Sequence, residues 1–502
     1  MMLAILQTSE LPRLAQPTII AVAVVYFAIV AAIGVWATRK TRTASDFFVA
    51  GEGIGLAALT LAAMSATLSG FAFIGGPGLV YATGLGAMFL ILPASVTSSM
   101  TSWALAKRMR LLAEVRGLIT VPDAIGARYR SPAAQGLSAV AILVAVVGYM
   151  ATNILALGLV IDAIFGTGLT WGVWIGMAIV LGYSVAGGIL AGVYTDVFQG
   201  SLMAVASVLV FIYTLKTGGG MEGISRTILS ADAAFMGPFG SMGAVAALSL
   251  FFVFGVGSMG QPHVIHKFYM LRDPRKLKWY PLLVTLALIV TMLLYFGVGV
   301  AVKALVVEGR MEPLARPDDA TPFFLLRFTP VLLAALVFSG VAAAIMSTVN
   351  SFMNIGAAAI THDIPVALGI KVKNELKWGR ISTVVVSLLA AWLALLPGAL
   401  VAFLGIFGWG LFASTLVPAL AIGLNWEGAT KEGAIASICT GLVITLGFET
   451  MAFFKVYSFP AGVTVSGLSL VLSILVFFAV SWVTRDRAAA ALDADVRLVM
   501  SV

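Results

Sequence analysis

Residues 339–351 read SGVAAAIMSTVNS, placing five hydroxyl or amide side chains (Ser339, Ser347, Thr348, Asn350 and Ser351) in a chain that is 61% hydrophobic. Ser347, Thr348 and Ser351 recur at spacings of three and four and so share one helical face, with Ala344 one turn earlier. Hydroxyls and a backbone carbonyl gathered on one face offer Na+ the oxygen ligands a hard cation prefers, without burying a fixed countercharge. A lone membrane hydroxyl usually bonds a carbonyl of its own or a neighbouring helix; this many on one helix favour the ion. A second candidate is Asp196 in AGGILAGVYTDVFQGSLM, which has no basic residue near it in sequence. An unpaired carboxylate inside a bilayer costs about 2.5–3.5 kcal/mol, which points to a cation or a proton as its partner. The competing reading is an N-terminal helix cap near the cytoplasmic surface, formed with Thr195. Asp162 reads as a wetted residue near the outer end of its helix, and His263 and His266 as interfacial residues.

The elements that carry these residues are transmembrane. A chain of 502 residues with 10% charged residues, 52 glycines and a mean hydropathy of +1.06 holds longer apolar runs than a soluble core hides. About thirteen stretches reach the roughly 18–30 residues needed to cross the hydrocarbon core. They lie near 17–37, 53–82, 85–106, 134–165, 170–186, 192–215, 241–266, 279–302, 323–361, 381–397, 400–424, 433–450 and 462–484. The first has its basic residues after it rather than before it, as an anchor entering from outside does and a secretory signal does not. With the N-terminus outside and the C-terminus cytoplasmic, all but eight of the 30 Lys and Arg fall in cytoplasmic segments, as the positive-inside rule requires. The exceptions are Arg13, Lys216, Arg226, Lys303, Arg310, Arg316, Arg327 and Lys455. The net charge of +8 is thereby explained by topology, without nucleic acid. The single cysteine, Cys439, gives no intrachain disulfide and no metal cluster.

Two of these segments carry interruptions. LTLAAMSATLSGFAFIGGPGLVY contains Ser69-Gly70 and then Gly75-Gly76-Pro77-Gly78, and SLFFVFGVGSMGQPHVIHKFY contains Gly255, Gly257, Gly260 and Pro262. Glycine costs about 1 kcal/mol and proline about 3 kcal/mol in a helix interior. Such clusters mark helices meant to unwind, and secondary transporters build their sites at such breaks near the midplane. The competing reading is close helix packing over small residues. The breaks fall five segments apart, the spacing expected of two inverted five-helix halves.

These residues together resemble the solute:sodium symporter family, which includes sodium/proline, pantothenate, sialic acid and sodium/glucose symporters. The matching elements are AGGILAGVYTDVFQ, AAAIMSTVNS, SGFAFIGGPGLVY, FGVGSMGQPHVIHKF and TVPDAIGARYR; the GQPH element is most similar to the sodium/proline branch. The resemblance implies an all-α polytopic membrane protein with a leucine-transporter-type 5+5 inverted repeat. Residues 1–52 would be an extra N-terminal helix and loop, 53–215 and 241–424 the two repeats, and 425–502 two further helices and a short cytoplasmic tail. It also implies a main Na+ site of Ser65, Leu68, Ala344, Ser347 and Thr348, and a second, found in some members, at Asp196, Ser347, Asn350 and Ser351. Asn350 stands where the family has serine. Thr67, Ser69, Gly70, Phe254, Ser258 and Gln261 fall in the solute region. There Thr67 replaces an aspartate of the proline branch, and Phe254 and Ser258 replace a tryptophan and a tyrosine, so the proline pocket is not reproduced.

The function this implies is Na+-coupled import of a small organic solute, an amino acid such as proline or a small monocarboxylate. The expected setting is the bacterial inner membrane, in contact with the lipid bilayer, as a functional monomer without an organic cofactor. The rival is a proton-coupled symporter of a small organic acid, with Asp196 titrating. A transporter-like sensor would need a signalling module where few residues remain after Arg485, and a channel would need polar residues at every depth. An enzyme would need a Ser-His-Asp, HExxH or paired-carboxylate constellation, which the sequence does not display.

Overall fold

A computed structural model describes residues 17–39, 55–67, 69–271, 273–396, 401–457, 459, 463–487 and 492–502. Every regular element among them is helical, because inside a bilayer a helix is the simplest way to pair each backbone amide and carbonyl within its own segment. The helices that matter for the site are α1 (Pro17–Thr38), α2 (Leu56–Thr67), α3 (Gly76–Thr83), α4 (Met88–Thr101), α5 (Pro132–Phe165), α6 (Leu169–Thr217), α7 (Ala244–Gly257) and α8 (Pro262–Ile265). They are followed by α9 (Tyr280–Val307), α10 (Val331–Ala358), α11 (Glu375–Ala394), α12 (Val401–Leu416), α13 (Lys431–Phe453) and α14 (Val465–Val483). Among the described residues, ten helices are long and apolar enough to cross a membrane, or eleven if the pair bent by 41° at residue 261 counts as one span.

The described residues thus do not confirm the expected count of thirteen. The second expected segment is cut after Thr67, so that only Leu56–Ser65 remains as a short apolar piece, while the chain from Phe71 runs on through the third expected segment to Arg116. The fifth and sixth expected segments are helical throughout as α6, whose apolar stretches are Leu169–Gly182 and Gly192–Thr217. The ninth is divided at Pro330, before which a short helix, Ala320–Phe328, ends. Proline starts α10 without losing a hydrogen bond, because the first helical turn has no partners for its amides.

Helix α10 lies at the centre, buried at nearly every position from Val337 to Ala359. It packs on α6 most extensively and also on α1, α2, α5 and α11. Helix α12 packs on α5 and α7, and α13 and α14 form a hairpin against α12. Leucines, valines and tryptophans such as Trp171, Leu248, Leu286, Leu389, Val443 and Leu475 are exposed, as expected of side chains whose solvent is lipid. The TVPDAIGARYR stretch forms a helix from Val121 to Tyr129. Its capping box has Thr120 Oγ1 accepting the Asp123 amide at 3.1 Å while Asp123 accepts the Thr120 amide at 3.2 Å.

Only the first part of the glycine-rich run after α2 is a break. Ser69 leaves the helix, but Gly75 to Gly78 are helical and buried. A Cβ on Gly76 would sit 1.8 Å from the Tyr295 ring of α9. For those four residues the close-packing reading is the correct one.

Candidate ion and solute site

The break after α2 is repaired from α5. Ser69 Oγ lies 3.2 Å from the Tyr149 hydroxyl, and the Gly70 amide donates to Asn153 Oδ1 at 2.8 Å. The Asn153 amide in turn donates to the Tyr149 carbonyl at 2.9 Å. Side chains of a neighbouring helix thus replace the backbone partners that unwinding removes. Thr67 Oγ1 donates to the Ala63 carbonyl at 2.8 Å, and the fully buried Ser65 directs its hydroxyl to Met203 Sδ at 3.7 Å. Leu68 lies outside the described residues.

The second break follows α7. A 3-10 turn over Ser258–Gly260 leads to Gln261, whose backbone is extended (φ −84°, ψ 104°), and Pro262 then restarts a helix as α8. Gln261 Nε2 donates to the Gly257 carbonyl at 2.9 Å and to the Trp409 carbonyl at 3.3 Å, holding the broken ends against α12. Its Oε1 is buried without a hydrogen-bond partner. The Ser258 hydroxyl lies 2.8 Å from that of Thr101 and 3.2 Å from that of Thr97, both on α4.

Aromatic rings close the space between the breaks. Phe254 stacks on Trp409 at 5.0 Å and on Phe71 at 5.8 Å. His263 is not the interfacial residue expected from the sequence. It is buried, 4.6 Å from the Phe352 ring and 6.2 Å from Tyr149, with both ring nitrogens unpartnered. His266 is buried as well, with Nε2 2.9 Å from the Ile119 carbonyl. A cavity of about 20 Å³ remains beside Thr67, Ser258 and Trp409, room for about one water, so the walls are drawn together in this conformation. The six expected solute residues thus line or bridge the two breaks. Tyr149, Asn153, His263, Phe352 and Trp409 stand at the same breaks without having been selected from the sequence, where the one signal for them was polar or aromatic residues within apolar segments.

The α10 face is buried throughout: Ala344, Ser347 and Thr348 have no exposure, and Asn350 and Ser351 have almost none. Ser339 Oγ donates to Ala335 O at 2.9 Å, the ordinary fate of a membrane hydroxyl. Thr348 Oγ1 donates to Ala344 O at 3.1 Å. Ser347 Oγ makes no hydrogen bond of normal geometry, with the Asp196 carboxylate within its reach. Asn350 Oδ1 accepts from Ser184 at 2.5 Å, and its Nδ2 lies only 1.9 Å from where a Cβ on Gly192 would be, so α6 needs glycine there.

Asp196 is neither unpaired nor a cap. The backbone is helical on both sides of it, and Lys267 Nζ donates to its Oδ2 at 2.8 Å with both side chains 1% exposed. Lys267, counted from sequence among cytoplasmic loop residues, is an interior residue on the 3-10 turn His266–Met270 that continues from α8. The helical break carries it 71 positions along the chain to reach α6.

With this geometry in view, the kinship of the chain is informative. Residues 47–441 match the model of the sodium:solute symporter family. The chain belongs to that family. Among curated members it is 28% identical over 481 residues to the osmoregulated proline transporter OpuE of Bacillus subtilis, covering 93% of this chain and 95% of the relative. It is 28% identical over 464 residues to a sodium/proline symporter of Haemophilus influenzae, covering 88% and 90% of the two chains. Among solved structures, a Na+-coupled sialic acid symporter in a substrate-bound outward-open state superposes with a TM-score of 0.76 at 17% identity, over 94% of this chain and 98% of that one. Mhp1, a nucleobase-cation-symport-1 family transporter in a closed conformation, gives 0.56 at 15% identity, over 92% and 99%. The fold is thus the leucine-transporter type that the family resemblance implied, in a multi-pass membrane protein of a transporter family.

Proposed function

We propose that this family member imports a small organic solute by Na+-coupled symport, with Na+ held where the break after α2 meets the hydroxyl face of α10. The observation that carries the reading is Ser347 Oγ, a fully buried hydroxyl that makes no hydrogen bond of normal geometry and has the Asp196 carboxylate within reach, on the helix that packs against α2. A buried hydroxyl without a well-formed hydrogen bond costs up to about 1–3 kcal/mol, and a bound cation offsets that cost. Ser65, Leu68, Ala344, Ser347 and Thr348 form the ion site in this reading. The solute binds between the breaks, where Gln261 Oε1 and the His263 nitrogens are the free polar groups and Phe71, Phe254, Phe352 and Trp409 the apolar walls. An amino acid such as proline or a small monocarboxylate fits that mixture, and helix ends at the breaks favour its carboxylate.

Ion and solute each stabilise the closed arrangement, and movement of the broken helices then exposes both to the cytoplasm. Each Na+ driven by roughly 100 mV contributes about 2.3 kcal/mol, which corresponds to about fiftyfold accumulation. The rest of the reading is a monomer in the bacterial inner membrane, N-terminus outside, with residues 53–215 and 241–424 as the inverted repeats. Proton coupling through Asp196 loses its motive, since the carboxylate already has a cationic partner. The test is a thermal-shift screen of the purified protein against amino acids and short organic acids, in Na+ and in choline. A ligand whose stabilisation requires Na+ identifies the solute; stabilisation that is equal in choline refutes the coupling.

A further inference from the structure

We propose that Lys267 is a tethered cation, its ammonium standing at Asp196 where a second transported Na+ would otherwise bind, so that the protein carries one Na+ per cycle. This inference rests on the Na+-coupled reading above and fixes its stoichiometry. Asp196 is the sole charged member of the second ion set, with Ser347, Asn350 and Ser351 supplying neutral oxygens. Lys267 Nζ is 2.8 Å from Asp196 Oδ2, and both side chains are 1% exposed, so the pair is neutral and shielded from water. A Na+ added at this carboxylate would meet an ammonium already bonded to it, at a depth where like charges repel strongly.

The neighbouring donors agree. Asn350 turns its carbonyl oxygen away to accept from Ser184 at 2.5 Å and from Asn354 at 3.4 Å. Asn350 Nδ2, which cannot ligate a cation, is the end that lies against Gly192, one turn before Asp196 on α6. Asp196 Oδ1 and Ser347 Oγ make no hydrogen bond of normal geometry, the Ser347 hydroxyl having only the Asp196 carboxylate within reach. Ser347 then belongs to the main site with Thr348 and Ala344, and Oδ1 is left to neutral donors. The difference from an ion is functional. A Na+ leaves with the solute and must be replaced, whereas Lys267 is covalently held on the segment that follows the second break. The charge at Asp196 therefore stays balanced throughout the cycle.

The test is equilibrium binding of ²²Na+ to the purified full-length protein, which needs no knowledge of the solute. The wild type is expected to saturate at one Na+ per chain. Lys267→Met bares the carboxylate and is expected to saturate at two, and the double variant Asp196→Asn/Lys267→Met to return to one. Saturation of the wild type at two, or of folded Lys267→Met at one, overturns the proposal. Should Lys267→Met not fold, the double variant, which buries no unpaired charge, decides. One Na+ at wild-type affinity supports the tethered cation, and a tenfold or greater loss of affinity overturns it, because Asp196 would then serve the transported ion. A wild type that binds no Na+ refutes the symport reading itself, an outcome distinct from binding two.

Discussion

Substituting Ser347 by alanine separates the cost of a buried hydroxyl from its use. In the ion-free fold Ser347 Oγ is fully buried and makes no hydrogen bond of normal geometry, only a poorly formed one to the Asp196 carboxylate, so its removal relieves a penalty of at most about 1–3 kcal/mol and leaves a void of a single oxygen. The variant without Na+ is therefore expected to melt at or above the wild-type temperature. If the hydroxyl ligates Na+, its loss removes an interaction of about 2 kcal/mol, judged from hydrogen bonds to charged groups, or about thirtyfold in affinity. At a Na+ concentration one hundred times the wild-type Kd, the ion stabilises the wild type by about 2.7 kcal/mol and the variant by about 0.9 kcal/mol. Thermal unfolding in NaCl and in choline chloride reads both quantities in one experiment. Thr348→Ala is the contrast, because Thr348 Oγ1 is bonded to the Ala344 carbonyl. It should lose Na+ affinity similarly but also melt lower without the ion, by the equivalent of about 1 kcal/mol. A Ser347→Ala protein that melts lower in choline while keeping the full Na+ shift would refute the assignment.

Gly76→Ala places a methyl group 1.8 Å from the Tyr295 ring and should sharply reduce the yield of monodisperse protein in size-exclusion chromatography, whereas alanine at Gly447, which has open space around it, should not. Asp318, in the loop before α10, is buried and accepts the Val401 amide at the start of α12; burial, with Asp319 beside it, pushes its carboxyl up to about 6. The native state thus holds a proton that the unfolded chain has released between pH 4 and 6. This contribution to stability is present below the unfolded pKa and is lost as pH rises through about 6, with an upper bound near 3 kcal/mol at 1.36 kcal/mol per unit. Asp318→Asn keeps an oxygen acceptor and removes the titration, so its melting temperature should gain on the wild type between pH 4.5 and 7; parallel profiles would count against the buried carboxyl. Asp196→Asn alone strands the Lys267 ammonium and should destabilise by about 3–5 kcal/mol, with Asp196→Asn/Lys267→Met recovering most of that loss in the same melting assay.

Local pattern was enough for the membrane class, for most of the helices and for the two breaks, because apolar run length and glycine or proline placement act within a few residues of where they stand. The α10 hydroxyl face was legible for the same reason, since helical periodicity alone puts Ala344, Ser347, Thr348 and Ser351 on one side. What lies across the chain was not legible. The apparent isolation of Asp196 was a property of the sequence, and the second break folds Lys267 back onto α6 to end it. The glycines from Gly75 to Gly78 carry the composition of a break, yet they remain helical, with Gly76 left bare for the Tyr295 ring. His263 looked interfacial by its distance along the segment, but unwinding at Gln261 turns it inward among Tyr149, Phe352 and Trp409. In each case the sequence determined which chemistry was available, and tertiary packing decided its partner, because burial and electrostatic pairing depend on distances through space that residue spacing along one helix does not contain.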